Sequence, residues 1–359
     1  MTATLRAAAL SLFAVGSLAA EAQTVAKYGA EFLASGVGAR ALGMGGAYVA
    51  HADDVTAGYW NVAGLDAVAQ TEAAYMHAER FGGAVAFDYA AVAYPLTDRS
   101  TIAVSFVRSA VDDIANTLNA FDGVQLNPDD VTLFSAADNA LFLSYARGVN
   151  RNLSVGATAK VVRRGIGEFA SAWGYSVDVG AQLDLGRVRL GLTVQDATGM
   201  VQSWSVDQAA FASVPEESRP EGLVEIVLPL ARLGASTLVP LSEDVGLTLA
   251  GDLDVGFDGQ AANVIDVAGA SLRPRVGAEL SVRDVLAFRA GISDVSTSDD
   301  FGTQITPSIG TGVQLGGLAI DYGFGDFSGL ASELGFAHRV SLTYRFGGGP
   351  SPARPTPGG

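Results

Sequence analysis

Three histidines and four Asp-Asp pairs are the groups in this chain best suited to metal binding or proton transfer. His51, His77 and His338 lie far apart in sequence, and no metal-type spacing joins them. None of the Asp-Asp pairs carries the D-x-[DN]-x-[DN]-G spacing of a calcium loop, which leaves calcium bridging in outer loops as a minor alternative. Neither a G-x-S-x-G nor an H-E-x-x-H motif occurs. The sequence therefore predicts no enzymatic activity, no cofactor and no metal site.

The composition excludes further classes of chemistry. The 359 residues include no cysteine, so disulfides, cysteine-ligated zinc and thiol catalysis are excluded. The net charge of −16 argues against nucleic acid as a partner, because phosphate contacts need clustered lysine and arginine.

A Gly- and Ala-rich stretch, residues 32–65, holds the most distinctive motif. Its segment from Gly36 to Ala41 fits the G-x-G-x-x-A pattern of dinucleotide-binding loops. We reject that interpretation because the segment does not lie between a parallel strand and a crossover helix. The glycines instead favour close backbone packing in a confined space.

Most of the chain after residue 70 alternates apolar and polar residues, as strands with two different faces do. From Trp173 to Leu185 the odd positions are apolar or aromatic, whereas the even positions include Asp178 and Asp184. The alternation predicts an all-β chain with fourteen strands, at 71–81, 84–96, 101–109, 139–149, 153–167, 172–185, 188–197, 223–239, 245–257, 272–282, 285–295, 304–315, 318–325 and 334–346.

The connections between these strands mostly alternate between short and long. Short turns at 97–100, 150–152, 186–187, 240–244, 283–284 and 316–317 alternate with longer loops such as 110–138 and 198–222. Outer-membrane β-barrels have short periplasmic turns and long external loops. The sequence therefore predicts a transmembrane antiparallel β-barrel, about fourteen strands, in the outer membrane of a Gram-negative-type bacterium. A soluble all-β protein is the alternative. Acidic and basic residues share the polar face, where they either pair or line a channel.

The remaining segments complete the predicted organisation. Residues 1–22 have a charged start, an apolar run and an A-x-A site, which indicates a cleaved secretory signal. Residues 71–346 form the barrel, and the Gly/Pro-rich tail 347–359 is expected to be disordered. Residues 23–70 have no place among the strands. We expect them to start on the periplasmic side and fold inward as a hatch.

The stretch 32–65 resembles the N-terminal signature of the PorV/PorQ family, part of the wider group of FadL-like outer-membrane barrels. The resemblance is carried by Gly36, Gly38, Ala39, Arg40, Leu42, Gly43, Gly45, Gly46, Ala47, Asp53, Asp54, Tyr59, Trp60, Asn61, Ala63, Gly64 and Leu65. The terminal HRVSLTYRF is similar to a closing strand of this group. One departure is Val62, which replaces the family's proline and alters the local kink that a proline would fix.

The resemblance implies a fourteen-stranded barrel with an inward hatch, and two roles. The first hypothesis is a non-enzymatic scaffold for type IX secretion, which binds the C-terminal domains of exported cargo and contacts other secretion components. The alternative is a FadL-like transporter of hydrophobic small molecules, which predicts an apolar pocket and a passage beside the hatch. The hatch motif common to both comprises Gly36, Gly38, Arg40, Gly43, Gly45, Gly46, Asp53, Asp54, Trp60, Asn61 and Gly64.

Two predicted outer loops, 110–138 and 198–222, carry apolar residues. Because recognition is often located on long loops of a rigid scaffold, they form the candidate loop binding surface. Its residues are Leu118, Phe121, Phe134, Trp204 and Phe211. The alternative is that these side chains cap the mouth of the barrel.

Overall fold

The computed structural model describes residues 24–25, 30–120, 125, 127–256, 265–267, 270–298, 302–325 and 337–347. The predicted signal 1–22, residues 348–359 of the predicted tail, and Phe121 lie outside these residues. No helix within the described ranges is both long and apolar enough to cross a membrane.

The described residues form eighteen strands. They are β1 (Thr24–Val25), β2 (Glu72–Arg80), β3 (Val85–Thr97), β4 (Ser100–Asn116), β5 (Thr132–Gly148), β6 (Leu153–Ile166), β7 (Ala170–Asp184), β8 (Val188–Gln195), β9 (Met200–Val206), β10 (Val224–Val227), β11 (Leu230–Pro240), β12 (Val245–Gly256), β13 (Ile265–Val267), β14 (Ala270–Val282), β15 (Leu286–Ser298), β16 (Gly302–Leu315), β17 (Leu318–Gly325) and β18 (Ala337–Arg345).

Fourteen of these described strands close into one antiparallel barrel, which confirms the predicted fold and strand number. The ring runs through β2 to β8, then β11, β12 and β14 to β18, and β18 pairs with β2. β9 and β10 extend the wall beyond β8 and β11, whereas β1 and β13 are short additional pairings. Each described strand of the ring therefore has a neighbour on both sides, as a sheet in a lipid bilayer requires.

The two faces of the wall differ as the alternation predicts. In β12, Leu249 points outward and is 44% exposed, whereas Asp252 and Asp254 point inward and are buried. The same division holds in β7 and β18. A closed ring with an apolar exterior is a membrane-spanning β-barrel, so the chain is a multi-pass barrel protein.

The hairpin of β4 and β5 is longer than predicted. Residues 110–138 were expected to form a loop, but Ala110 pairs with Ala137 and the ladder continues to Asn116 and Thr132. A bulge between Val111 and Ile114 disrupts the alternation that the sequence pattern depends on. Only 117–131 connects the two strands.

A second departure interrupts one side of the wall. Residues 196–199 separate β8 from β9, although both strands pair with β7. Asp196 and Gly199 adopt left-handed backbone conformations that break the strand, with φ of 51° and 68°. In the facing strand, Pro229 lies between β10 and β11 and has no N–H to donate. The predicted loop 198–222 therefore contains a strand, and the predicted strand 223–239 is split.

We name the two ends of the barrel the turn end, with short connections, and the loop end. β1 runs parallel to β10 at the loop end. The Arg80 side chain, also near the loop end, donates to Ser35 Oγ at 2.8 Å. The chain then descends, and Asp66 reaches the backbone N–H of Gly148 at the turn end. The segment therefore enters from the loop end, not from the periplasmic side as expected.

Candidate functional site: the hatch in the barrel lumen

Residues 30–68, named the hatch, fill the lumen. Their regular structure consists of a 3₁₀ helix (Glu31–Ser35), α1 (Ala39–Gly43), α2 (Ala57–Trp60) and a second 3₁₀ helix (Val62–Ala67). Nearly every residue from 35 to 65 is buried, although the helices are too short to be stable alone. Packing against the wall must therefore stabilise them.

The predicted hatch motif lies within this segment. Gly36, Gly38, Gly45 and Gly46 all have φ between 64° and 83°, where a side chain would be strained. Gly64 packs against the Ala52 carbonyl oxygen, inside the hatch itself. Glycine at these positions is thus needed for the fold of the hatch.

Glycines in the wall receive the hatch backbone. A Cβ added at Gly191 would lie 2.6 Å from the Val49 carbonyl oxygen, and one at Gly234 would lie 2.9 Å from the Ala50 nitrogen. Two further glycines, Gly156 and Gly180, pack against the side chain of Val62. Those with equivalent contacts to the hatch backbone are Gly277, Gly291, Gly310 and Gly323. We name these eight residues the wall glycines. Sequence reasoning missed them, although each lies on the inward-facing side of its strand.

Arg40 is the centre of a buried ionic network. Its guanidinium contacts Asp53 Oδ1 at 3.0 Å, Asp54 Oδ2 at 3.5 Å and Glu279 Oε2 at 3.0 Å. Arg40 Nη2 lies 2.7 Å from His51 Nε2. Arg40 therefore joins the motif carboxylates Asp53 and Asp54 to the wall carboxylate Glu279, which His51 also contacts at 3.6 Å. The sequence pattern did not single out Glu279, because it is one of several charges on the inner face.

The Arg40 network continues along the wall. Arg289 contacts Glu279 at 2.5 Å and Asp321 at 2.7 Å, so cations and carboxylates alternate from the hatch to β17. Burial opposes ionisation of the Asp53 carboxyl, but Arg40, His51 and Arg189 together lower its pKa to about 2. Asp53 therefore stays charged at neutral pH. The sequence left open whether the inward-facing charges pair or line a channel, and these described charges pair.

Hydrogen bonds to backbone groups anchor the rest of the hatch. Asp252 accepts from the backbone N–H groups of Tyr48 at 2.7 Å and Val49 at 2.9 Å. Asn61 donates to the Val49 carbonyl at 3.0 Å and to the Ala181 carbonyl at 3.1 Å. Arg339 is fully buried and donates to two hatch carbonyls near residue 36. Each of these contacts satisfies a buried backbone group of the hatch or the wall, so removing one weakens the anchoring of the hatch.

The loop half of the lumen is apolar along one side. Inward-facing residues of β2 to β6 there form a surface that we name the apolar wall: Met76, Phe87, Tyr89, Val107, Phe142 and Val162. It packs against apolar hatch residues, and the rings of Tyr59 and Phe142 lie 5.9 Å apart. The ionic contacts of Arg40 lie elsewhere, on β14. The lumen therefore has a mainly apolar side and a charged side. On the apolar side, Lys160 and Arg339 lie over the rings of Phe142 and Phe87.

A cavity of about 270 Å³, lined by both charged and apolar residues, lies towards the turn end. Its lining includes Arg40, Asp54, Glu279, Arg289 and Arg345, and it reaches the β14–β15 turn. It is not the apolar pocket that the transport hypothesis predicts. No cluster of three or more potential metal ligands occurs among the residues that the structure describes.

The candidate loop residues do not form one open surface. The rings of Phe134 and Phe211 each contact Phe169, at 5.1 and 5.6 Å. Trp204 stacks on the Arg164 guanidinium at 5.2 Å and donates to Glu225. Leu118 is half-buried in the turn between β4 and β5. Most of this set therefore packs locally at the mouth of the barrel.

The site and fold together define a membrane β-barrel with a lumen filled by an N-terminal hatch. No protein-family model matches the chain, and none of the curated proteins matches it.

The structure is similar to solved outer-membrane barrels. The P. putida toluene transporter TodX aligns with a TM-score of 0.54 at 13% identity, covering 87% of this chain and 99% of that one. The monoaromatic hydrocarbon channel CymD aligns at 0.53 and 14%, covering 87% and 98%. A Pseudomonas aeruginosa FadL homologue aligns at 0.50 and 13%, covering 86% and 98%. The chain therefore has the fold of FadL-like outer-membrane barrels.

Proposed function

We propose that this protein transports hydrophobic small molecules across the outer membrane. The observation that carries the proposal is the division of the lumen into an apolar side and a charged side. A hydrophobic molecule entering from the loop end can move between the hatch and the apolar wall, where most of the contacts that it displaces are apolar. The ionic contacts of Arg40 with β14 stay intact during that movement.

The solved structures with a similar fold also support a role in transport. The chains with a similar fold are described as transporters or channels for toluene and monoaromatic hydrocarbons, not as enzymes. We therefore put transport before the secretion scaffold that the sequence resemblance suggested first. In this structure the hatch packs against the apolar wall, so passage requires the hatch or the wall to move.

Transport can be tested with cells that express this chain as their only barrel of this kind. Uptake of radiolabelled toluene and of a long-chain fatty acid is compared with uptake of a polar solute. Val107→Asn places an amide on the apolar wall, and we expect hydrophobic uptake to fall about tenfold, since a poorly paired polar group opposes apolar contact. Ser236→Asn, which also points inward but on β11, should leave uptake unchanged. Equal uptake with and without the protein would refute the proposal.

The secretion hypothesis remains a separate prediction. It requires cargo to bind residues such as Leu118, Trp204 and Phe211 at the loop end. The exposure of Leu133 on β5, of which 64% is accessible to solvent, favours a contact at this end. Comparing the secreted proteins of wild-type and deletion strains tests it, and unchanged secretion would exclude this role.

A further inference from the structure

The outer surface of the barrel carries a row of polar side chains near the loop end. The strand register places His77, Asp88, Arg108, Asn139 and Arg163 directly beside one another on β2 to β6. All five occupy outward-facing positions. Trp173 continues the row on β7, with the Arg163 guanidinium over its ring at 5.5 Å.

The rows on either side show where this one lies in the membrane. Towards the turn end, the next outward row is entirely apolar or aromatic: Tyr75, Ala90, Phe106, Leu141, Val161, Tyr175 and Val201. Towards the loop end, the next row is small or polar, including Ala110, Ala137, Gly165 and Ser171. The polar row therefore marks the edge of the hydrocarbon belt, where lipid headgroups lie. Arginine on the lipid face costs little at this depth.

The charges in the row are divided between its two ends. Asp88 accepts from Tyr75 Oη at 2.8 Å and pairs with His77 Nδ1 at 2.8 Å. The carboxylate nearest to Arg108 in the row therefore already has partners. Within the described residues, neither Arg108 nor Arg163 has a carboxylate within ion-pair distance. Most other strand arginines point inward and pair there, such as Arg275 and Arg289.

We propose that Arg108 and Arg163 bind the phosphate group of an anionic lipid in the outer leaflet. They flank Asn139 on strands about 10 Å apart, a gap that two arginine side chains can close over one phosphate. Guanidinium groups suit phosphate because they donate in a planar fork. The Asn139 amide lies between them as a third donor. The acyl chains of the lipid lie against Phe106, Leu141 and Val161, directly below.

This lipid site is independent of the transported molecule. Its test uses the full-length barrel in phosphatidylcholine nanodiscs that contain a minor fraction of phosphatidic acid, with retained lipid counted by native mass spectrometry. Each arginine near an anionic surface contributes about fivefold, so we expect Arg108→Gln and Arg163→Gln together to lower phosphatidic acid retention about thirtyfold. Raising the salt concentration should weaken retention by the wild type.

Matched variants keep this result interpretable. Arg147→Gln removes another exposed, outward-facing arginine at the turn end and should leave retention unchanged. Lysine at both positions should restore much of the binding, because the charge is kept. The site would be refuted if the double glutamine variant retained as much phosphatidic acid as the wild type. It would also be refuted if Arg147→Gln lost as much retention as the double variant. A difference in gel mobility between heated and unheated samples shows that each variant is a folded barrel.

Discussion

Replacing Gly191 with alanine directly tests whether the wall glycines hold the hatch in place. The new methyl carbon would lie 2.6 Å from the Val49 carbonyl oxygen and 2.9 Å from Ala50 Cα. Ordinary contact begins near 3.4 Å, so the hatch backbone must retreat by nearly an ångström. Such overpacking costs about 1–3 kcal/mol. The same Val49 oxygen accepts from Asn61 and Gln182, and weakening those bonds adds about 1 kcal/mol.

The absence of native cysteine permits a site-specific assay. Ala47→Cys places a thiol in the buried hatch, where a maleimide reacts only when the hatch opens. A loss of about 2 kcal/mol in hatch stability should raise the labelling rate about thirtyfold. The control is Gly251→Ala, whose methyl group would point outward with its nearest neighbour 3.8 Å away. Equal labelling rates in the parent, Gly191→Ala and Gly251→Ala would refute the role of the wall glycines.

Three further predictions concern the hatch contacts. At pH values above 3.8, the ordinary pKa of an aspartate, the lowered pKa of Asp53 stabilises the seated hatch, and this contribution should be lost as the pH falls from about 4 to about 2. When cysteine labelling is measured over a pH series, the rate should rise in that range, and Asp53→Asn should remove the rise. Arg289→Met leaves two buried carboxylates without their shared cation and should destabilise the folded barrel by about 3–5 kcal/mol in urea titrations. Val62→Pro should leave urea stability within about 1 kcal/mol of wild type, because Val62 is the first residue of its helix and Asn61 is already extended; a larger loss would show that the valine side chain is required.

Strand number and side-chain direction could be predicted from the sequence because a lipid-facing wall needs strict alternation. Leu192, Leu249 and Val340, for example, all lie on the outward side of their strands and are exposed. The prediction failed where the backbone breaks that alternation, at the bulge beside Asp113 and at Asp196. Both are non-glycine residues with positive φ, which composition does not reveal.

The hatch residues were recognised, but their partners were not. Arg40, Asp53 and Asp54 belong to a compact motif, whereas Glu279 and Arg289 are more than two hundred residues away in sequence. Pairing over such distances depends on strand register, which one sequence does not specify. The entry of the hatch from the loop end depends likewise on the pairing of β1 with β10.

The position of the hatch in the chain also limits the order of assembly. Residues 30–68 precede every strand of the ring, yet Arg339 on the last strand donates to the Gly36 carbonyl. The contacts that hold the hatch therefore span the whole ring, from β2 to the last strand, β18. The hatch cannot be fully anchored until β18 has joined the ring, so its final seating and the closure of the barrel are coupled.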